Sequence, residues 1–167
     1  MNSKQIHQVL DTFNVTPSKS LGQNFLTDEN IARWIVSQLD IQPEDCVVEV
    51  GPGTGALTEH MAPLCRKLIL VEFDARLAAY QRERWAESPH VEVHHADGAS
   101  WDPRRLFAER PVKFMGNLPY SAGGAILAKG HDRVWKDKGD NKRRRHGRTY
   151  IPCTFNRRQT EGTQSRD

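Results

Sequence analysis

The sequence predicts an α/β fold with a parallel sheet, and three observations carry that expectation. Residues 46–57 read CVVEVGPGTGAL, a short apolar run that meets three glycines and continues into a helix-compatible segment. Further short runs at residues 68–71, 91–95 and 112–115 have strand character, and the first three runs are separated by helical patterns. Residues with chemical capacity follow the runs one set at a time: Gly51, Gly53 and Gly55, then Glu72, then Asp97, then Asn117 to Tyr120. In open α/β sheets ligands bind in the crevice beyond the carboxyl ends of the strands, so residues far apart in sequence are expected to share one site.

Each element has a local reason. Residues 1–19 are polar and irregular, with a short helix expected over residues 6–13. The stretch SLGQNFL, residues 20–26, comes immediately before a helix that Thr27 or Asp28 can cap. Ile31, Trp34, Ile35 and Leu39 fall at helical spacing in that helix and are expected to face the core. Pro43 and Asp45 punctuate before the first strand. A helix over residues 56–61 is ended by Pro63. Asp74 can cap the next helix, with Leu77, Tyr80 and Trp85 inward and Pro89 as its breaker. Residues 91–95 alternate as a third strand, which turns His94 and His95 to opposite faces and argues against a shared metal. A loop with Trp101 and Pro103 leads to the fourth strand.

Composition narrows the class. A chain of 167 residues supports one domain with a core. No run approaches the ~18–20 apolar residues that cross a bilayer, and MNSKQIHQVLDTF lacks the apolar centre of a secretory signal. Cys46, Cys65 and Cys153 are scattered without a CxxC pair, so they read as reduced thiols of a cytoplasmic protein, with no metal centre expected. Charge is distributed unevenly. Residues 1–127 carry 12 Lys and Arg against 16 Asp and Glu, whereas residues 128–167 carry 12 against 5. The second segment lacks sustained periodicity and is expected to be a disordered basic tail, its Lys142 to Arg145 run able to contact phosphates.

The glycine cluster is not a dinucleotide fingerprint, because the two-residue gap before the last glycine is missing. Glu72 lies about 20 residues beyond it, where a ribose-binding carboxylate belongs in a nucleotide-type βαβ unit. The segment after the fourth strand, GNLPY, suits chemistry on the exocyclic amino group of adenine. That nitrogen's lone pair is delocalised into the ring, and accepting hydrogen bonds from both amino hydrogens draws it toward a more nucleophilic, pyramidal geometry. Asn117 offers a side-chain carbonyl, and the Leu118–Pro119 segment a backbone carbonyl stiffened by proline's fixed φ. Tyr120 offers a flat face on which an extruded base can stack.

In this order, SLGQNFL, EVGPGTG, Glu72, Asp97 and GNLPY resemble the ribosomal RNA adenine N6,N6-dimethyltransferase family of the bacterial small-subunit type. The resemblance covers roughly residues 18–127. It implies a Rossmann-like S-adenosylmethionine-dependent methyltransferase domain in residues 1–127, followed by the tail 128–167, with the parallel sheet incomplete on its C-terminal side. It further implies that Asn24 and Leu26 close over S-adenosylmethionine and that Gly51 and Gly53 line its methionine part. Glu72 would hold the ribose hydroxyls and Asp97 the adenine, and Asn117 would lie between cofactor and target base. The implied partner is ribosomal RNA in the small-subunit precursor, bound by a monomer. Two other readings stand beside this one. They are the related large-subunit adenine methylases of the antibiotic-resistance type, and a non-catalytic fragment that binds nucleotide or RNA. A small-molecule methyltransferase on the same fold need not carry NLPY and is disfavoured.

Overall fold

The computed structural model describes residues 3–15, 26–102 and 112–116, together with Leu106 and Glu109. Asn24, Asn117, Pro119, Tyr120, Cys153 and the expected tail 128–167 lie outside the described residues.

Four parallel strands form one sheet in the order β3-β2-β1-β4. They are β1 (Cys46–Val50), β2 (Lys67–Glu72), β3 (Val91–His95) and β4 (Val112–Gly116). The helices are α1 (Ser3–Thr12), α2 (Glu29–Ser37), α3 (Thr58–Met61), which runs on into a 3-10 turn at Ala62–Leu64, and α4 (Ala75–Arg84). Every residue of β1 is buried, as expected of a central parallel strand covered on both faces. The two-residue period then divides its side chains between two cores. Val47, with Leu68, Leu70 and Met115, packs against Ala32, Ile35, Val36, Leu39, Leu57 and Met61. Cys46, Val48 and Val50 join Ile69, Val71, Leu106 and Val112 on the other side. Apart from these, α1 lays Ile6 and Leu10 against Leu77 of α4, with Val15 completing the cluster.

The caps follow side-chain chemistry. Asp28 accepts from the N–H groups of Asn30 and Ile31, and Asp74 from those of Arg76 and Leu77, so each satisfies donors that a helix start leaves unpaired. Between the two caps expected for α2, Asp28 is the one used.

The apolar stripe of α2 is the main correction. Ile35 and Leu39 are buried, but Ile31 is 45 % and Trp34 62 % exposed, and Ala32 and Val36 take the inward positions instead. The helix has rotated toward its small and β-branched residues, which let it sit close to β1 and α3. α3 begins at Thr58 and ends at Met61, and Pro63 sits in the 3-10 turn that follows, where its missing N–H costs nothing. In α4, Leu77 is buried, Tyr80 and Trp85 are half-buried, and the innermost polar side chain is Gln81, which is fully buried. A buried charge in β4 also went unread: Lys113 forms an ion pair with Asp45 at 2.7 Å and donates to the Asp40 carbonyl. Among the described residues no helix is long and apolar enough to cross a membrane, and no group of three or more metal-ligating side chains gathers.

Candidate active site

The site begins where β1 stops. Gly51, Gly53 and Gly55 all have positive φ (72°, 56° and 84°), a region that side chains with a Cβ enter only with strain. Gly51 N–H donates to the Val71 carbonyl at 2.9 Å, Gly53 N–H to Glu72 Oε2 at 2.9 Å, and Gly55 N–H to the Pro52 carbonyl at 2.8 Å. The chain therefore turns sharply and stays against the end of β2. At Gly55 a Cβ would sit 2.8 Å from Arg84 Nη1 and 2.9 Å from Gln81 Nε2. Gly55→Ala is expected to destabilise the fold by about 1–3 kcal/mol, from backbone strain plus displacement of the buried Gln81 and the half-buried Arg84 head groups. Urea denaturation checks it, and an unchanged midpoint would contradict it.

Glu72, the last residue of β2, is 5 % exposed, and both of its oxygens are engaged. Oε2 accepts from Gly53 N–H and Oε1 from Asp74 N–H, each at 2.9 Å. Burial pushes its pKa above the ordinary carboxylate value, against the opposing pull of those backbone N–H groups. Glu72 pairs in register with His95, which places Asp97 two residues further along the neighbouring strand. Asp97 is exposed and its carboxylate accepts from the Ala99 N–H at 2.8 Å. His95 Nε2 meets the Phe73 carbonyl at 3.1 Å and so ties the two strand ends together. On the other side of β1, Gly116 is in register with Val50, so the chain leaves β4 beside the glycine turn, about 4.8 Å away by parallel-strand spacing. Leu26 is half-buried and packs on the core that contains Val47 and Leu57.

The strand order thus converts a sequence into a row. Across the carboxyl edge lie Asp97, Glu72, the glycine turn, and Gly116 at the end of β4. Because β2 and β3 lie on one side of β1 and β4 on the other, the direction of winding reverses between β1 and β4, the switch point at which such folds bind ligands.

Comparison with known proteins bears on family and fold. The model of the ribosomal RNA adenine dimethylase family matches residues 2–165. The chain belongs to that family. Among curated family relatives, the ribosomal RNA small subunit methyltransferase A of Prosthecochloris aestuarii is 47 % identical over 115 residues, 69 % of this chain and 43 % of the relative. The counterpart in Ligilactobacillus salivarius is 40 % identical over 131 residues, 75 % of this chain and 44 % of its own. The chain therefore spans less than half the length of these relatives. Among solved structures, the 23S rRNA methyltransferase ErmE superposes with a TM-score of 0.57 at 34 % identity, over 63 % of this chain and 41 % of that one. A dimethyladenosine transferase from Plasmodium falciparum gives 0.56 at 25 % identity, over 64 % and 38 %. The expected Rossmann-like methyltransferase sheet of the family is present.

Two groups of residues near the family's glycine turn were not anticipated. One is Glu49, whose only signal was a charge inside an otherwise apolar run. It is 1 % exposed and accepts from Thr58 Oγ1 at 2.6 Å, joining β1 to α3. Burial raises its pKa from 4.5 to about 7, with the nearby Glu72 adding to the rise and the Thr58 hydroxyl opposing it. The folded state thus holds a proton that the unfolded chain has released. Glu49's stability contribution is complete below about pH 4.5 and is lost as pH rises through about 7, a loss of roughly 3 kcal/mol. Glu49→Gln is expected to flatten that slope. Urea midpoints at about pH 5 and about pH 8 measure it, and an undiminished slope in the variant would contradict the assignment. The other group, Gln81 and Arg84, reaches the turn from α4.

Proposed function

We propose that this chain carries the cofactor and catalytic site of an S-adenosylmethionine-dependent methyltransferase acting on adenosine exocyclic amino groups in small-subunit ribosomal RNA. The observation that supports it most is the row at the strand ends. Asp97, Glu72, the glycine turn and the end of β4, which Asn117 follows in sequence, occur in the order expected for adenine, ribose, methionine and target base. The residues present suit such a cofactor. A carboxylate suits a ribose diol, a second one suits an adenine amino group, and side-chain-free backbone admits the amino-acid end.

When bound, S-adenosylmethionine supplies an electrophilic methyl group on a sulfonium centre. Glu72 accepts hydrogen bonds from the two ribose hydroxyls, and Asp97 orients the adenine. Asn24 and Leu26 close over the cofactor. The Asn117 side-chain carbonyl and the backbone carbonyl of the Leu118–Pro119 segment accept from the two hydrogens of the target amino group, and Tyr120 stacks on the base. No strong base is required, because the amino proton leaves after the nitrogen has been alkylated. We assign the work to a monomer in the cytoplasm, with the precursor of the small ribosomal subunit as partner.

Transfer of tritiated methyl from S-adenosylmethionine to unmodified small and large ribosomal subunits, each supplied separately, tests this reading. Labelled adenosine in small-subunit RNA supports it. Labelling confined to large-subunit RNA favours the relationship to ErmE as the guide to substrate. Cofactor binding without transfer to either would leave a binding fragment.

A further inference from the structure

A glycine turn has no side chains with which to hold its own shape, so its conformation must be imposed by what surrounds it. Here two of its carbonyls are held from one helix, α4. Gln81 Nε2 donates to the Gly53 carbonyl at 2.8 Å, and Arg84 Nη1 donates to the Thr54 carbonyl at 3.1 Å. Two successive carbonyls are thereby drawn back onto α4, while the Gly53 N–H is taken by Glu72 on β2. Gly53 is held through both its N–H and its C=O.

The helix side is specific too. Gln81 is fully buried, a costly place for an amide unless its polar atoms are bonded. Both ends are: Nε2 by Gly53, and Oε1 by Trp85 Nε1 at 3.0 Å. Arg84 is fixed in turn by Glu59, whose carboxylate lies 2.8 Å from Nη2, and its guanidinium lies 5.4 Å from the Trp85 ring centroid. The contact is close, since the missing Cβ of Gly55 is what makes room for the Arg84 and Gln81 head groups.

We infer that Gln81 and Arg84 are positioning residues that hold the glycine turn in the shape that receives the methionine end of the cofactor. The inference rests on the proposed function, which places S-adenosylmethionine on that turn. A turn held in advance loses less freedom on binding; one released from α4 must be ordered by the ligand. The penalty falls on the part of the ligand that touches the turn. It does not fall on the nucleoside part, which Glu72 and Asp97 hold.

Titration calorimetry of the full chain with S-adenosylhomocysteine and, separately, with adenosine distinguishes this role from general stabilisation. In Gln81→Leu, affinity for S-adenosylhomocysteine is expected to fall on the order of tenfold and that for adenosine by less than about twofold. Arg84→Met should show the same asymmetry. Arg84→Lys, whose ammonium can still meet the Thr54 carbonyl and Glu59, should recover most of the loss. Equal weakening of both ligands would show a purely structural role and overturn the inference, as would unchanged affinity in Gln81→Leu. If Gln81→Leu does not fold, the contrast between Arg84→Met and Arg84→Lys decides. Wild-type chain that binds neither ligand would overturn the proposed function, and this inference with it. Wild-type binding with indifferent variants would overturn this inference alone.

Discussion

Asn117→Ala is expected to lower the rate of methyl transfer by about 100- to 1000-fold at saturating cofactor, the range found when one preorganised polar group is removed from the reacting centre. Position 117 follows Gly116, which is in register with Val50 at the mouth of the glycine turn. A donor on that turn and an acceptor at 117 therefore start from adjacent strand ends. Alanine removes one of the two acceptors proposed for the amino hydrogens, so the nitrogen keeps its lone pair in the ring and remains a poor nucleophile. Single-turnover transfer to unmodified small subunits measures the rate, with cofactor affinity measured alongside. A variant that transfers at an undiminished rate would remove Asn117 from the chemistry. A loss traced wholly to cofactor affinity would make it a binding residue alone.

Glu72→Ala should weaken S-adenosylhomocysteine binding by roughly 100-fold, about 3 kcal/mol, from two lost hydrogen bonds to a charged acceptor. The loss has a second source in the free protein. Gly53 and Asp74 each give an N–H to the Glu72 carboxylate, so alanine leaves two donors without their acceptor and loosens the turn. Glu72→Gln keeps the size and one acceptor oxygen, and is expected to fall between the two. Because burial holds the Glu72 pKa above its ordinary value, affinity should begin to fall at a higher pH on acidification than an exposed carboxylate would allow. The sign follows from the chemistry: the protonated group gives up acceptor capacity. Calorimetric titration across the acid range checks both points, and wild-type affinity in Glu72→Ala would remove the residue from the site.

Much of the site can be read from the chain because its signals are local. Glu72 stands out as an acid at the end of an apolar run, Asp74 as a cap, and the glycines as positions where φ turns positive. Other features are invisible for a definite reason. Glu49 is marked only by its place in an apolar run, which does not say what it bonds, and Gln81 is an ordinary polar side chain that nothing nearby in sequence marks as buried. Their partners, Thr58 and Gly53, are brought to them by packing. Ile31 and Trp34 fit a helical stripe as well as Ile35 does, yet they are exposed, because closeness to β1 and α3 favoured the smaller face of α2.

The order of chain residues is enough to read most of the elements, the Asp74 cap, the sharp turn after β1, and which residues stand at strand ends. Those features depend on side-chain period and on the torsional limits of single residues, all of which act over a few neighbouring positions. Packing alone put β1 between β2 and β4, and so set Asp97, Glu72, the glycines and the end of β4 at Gly116 in one ordered row. Strand order is set by how two helical layers and their connections cover a sheet on both faces, and no short stretch of chain contains that information.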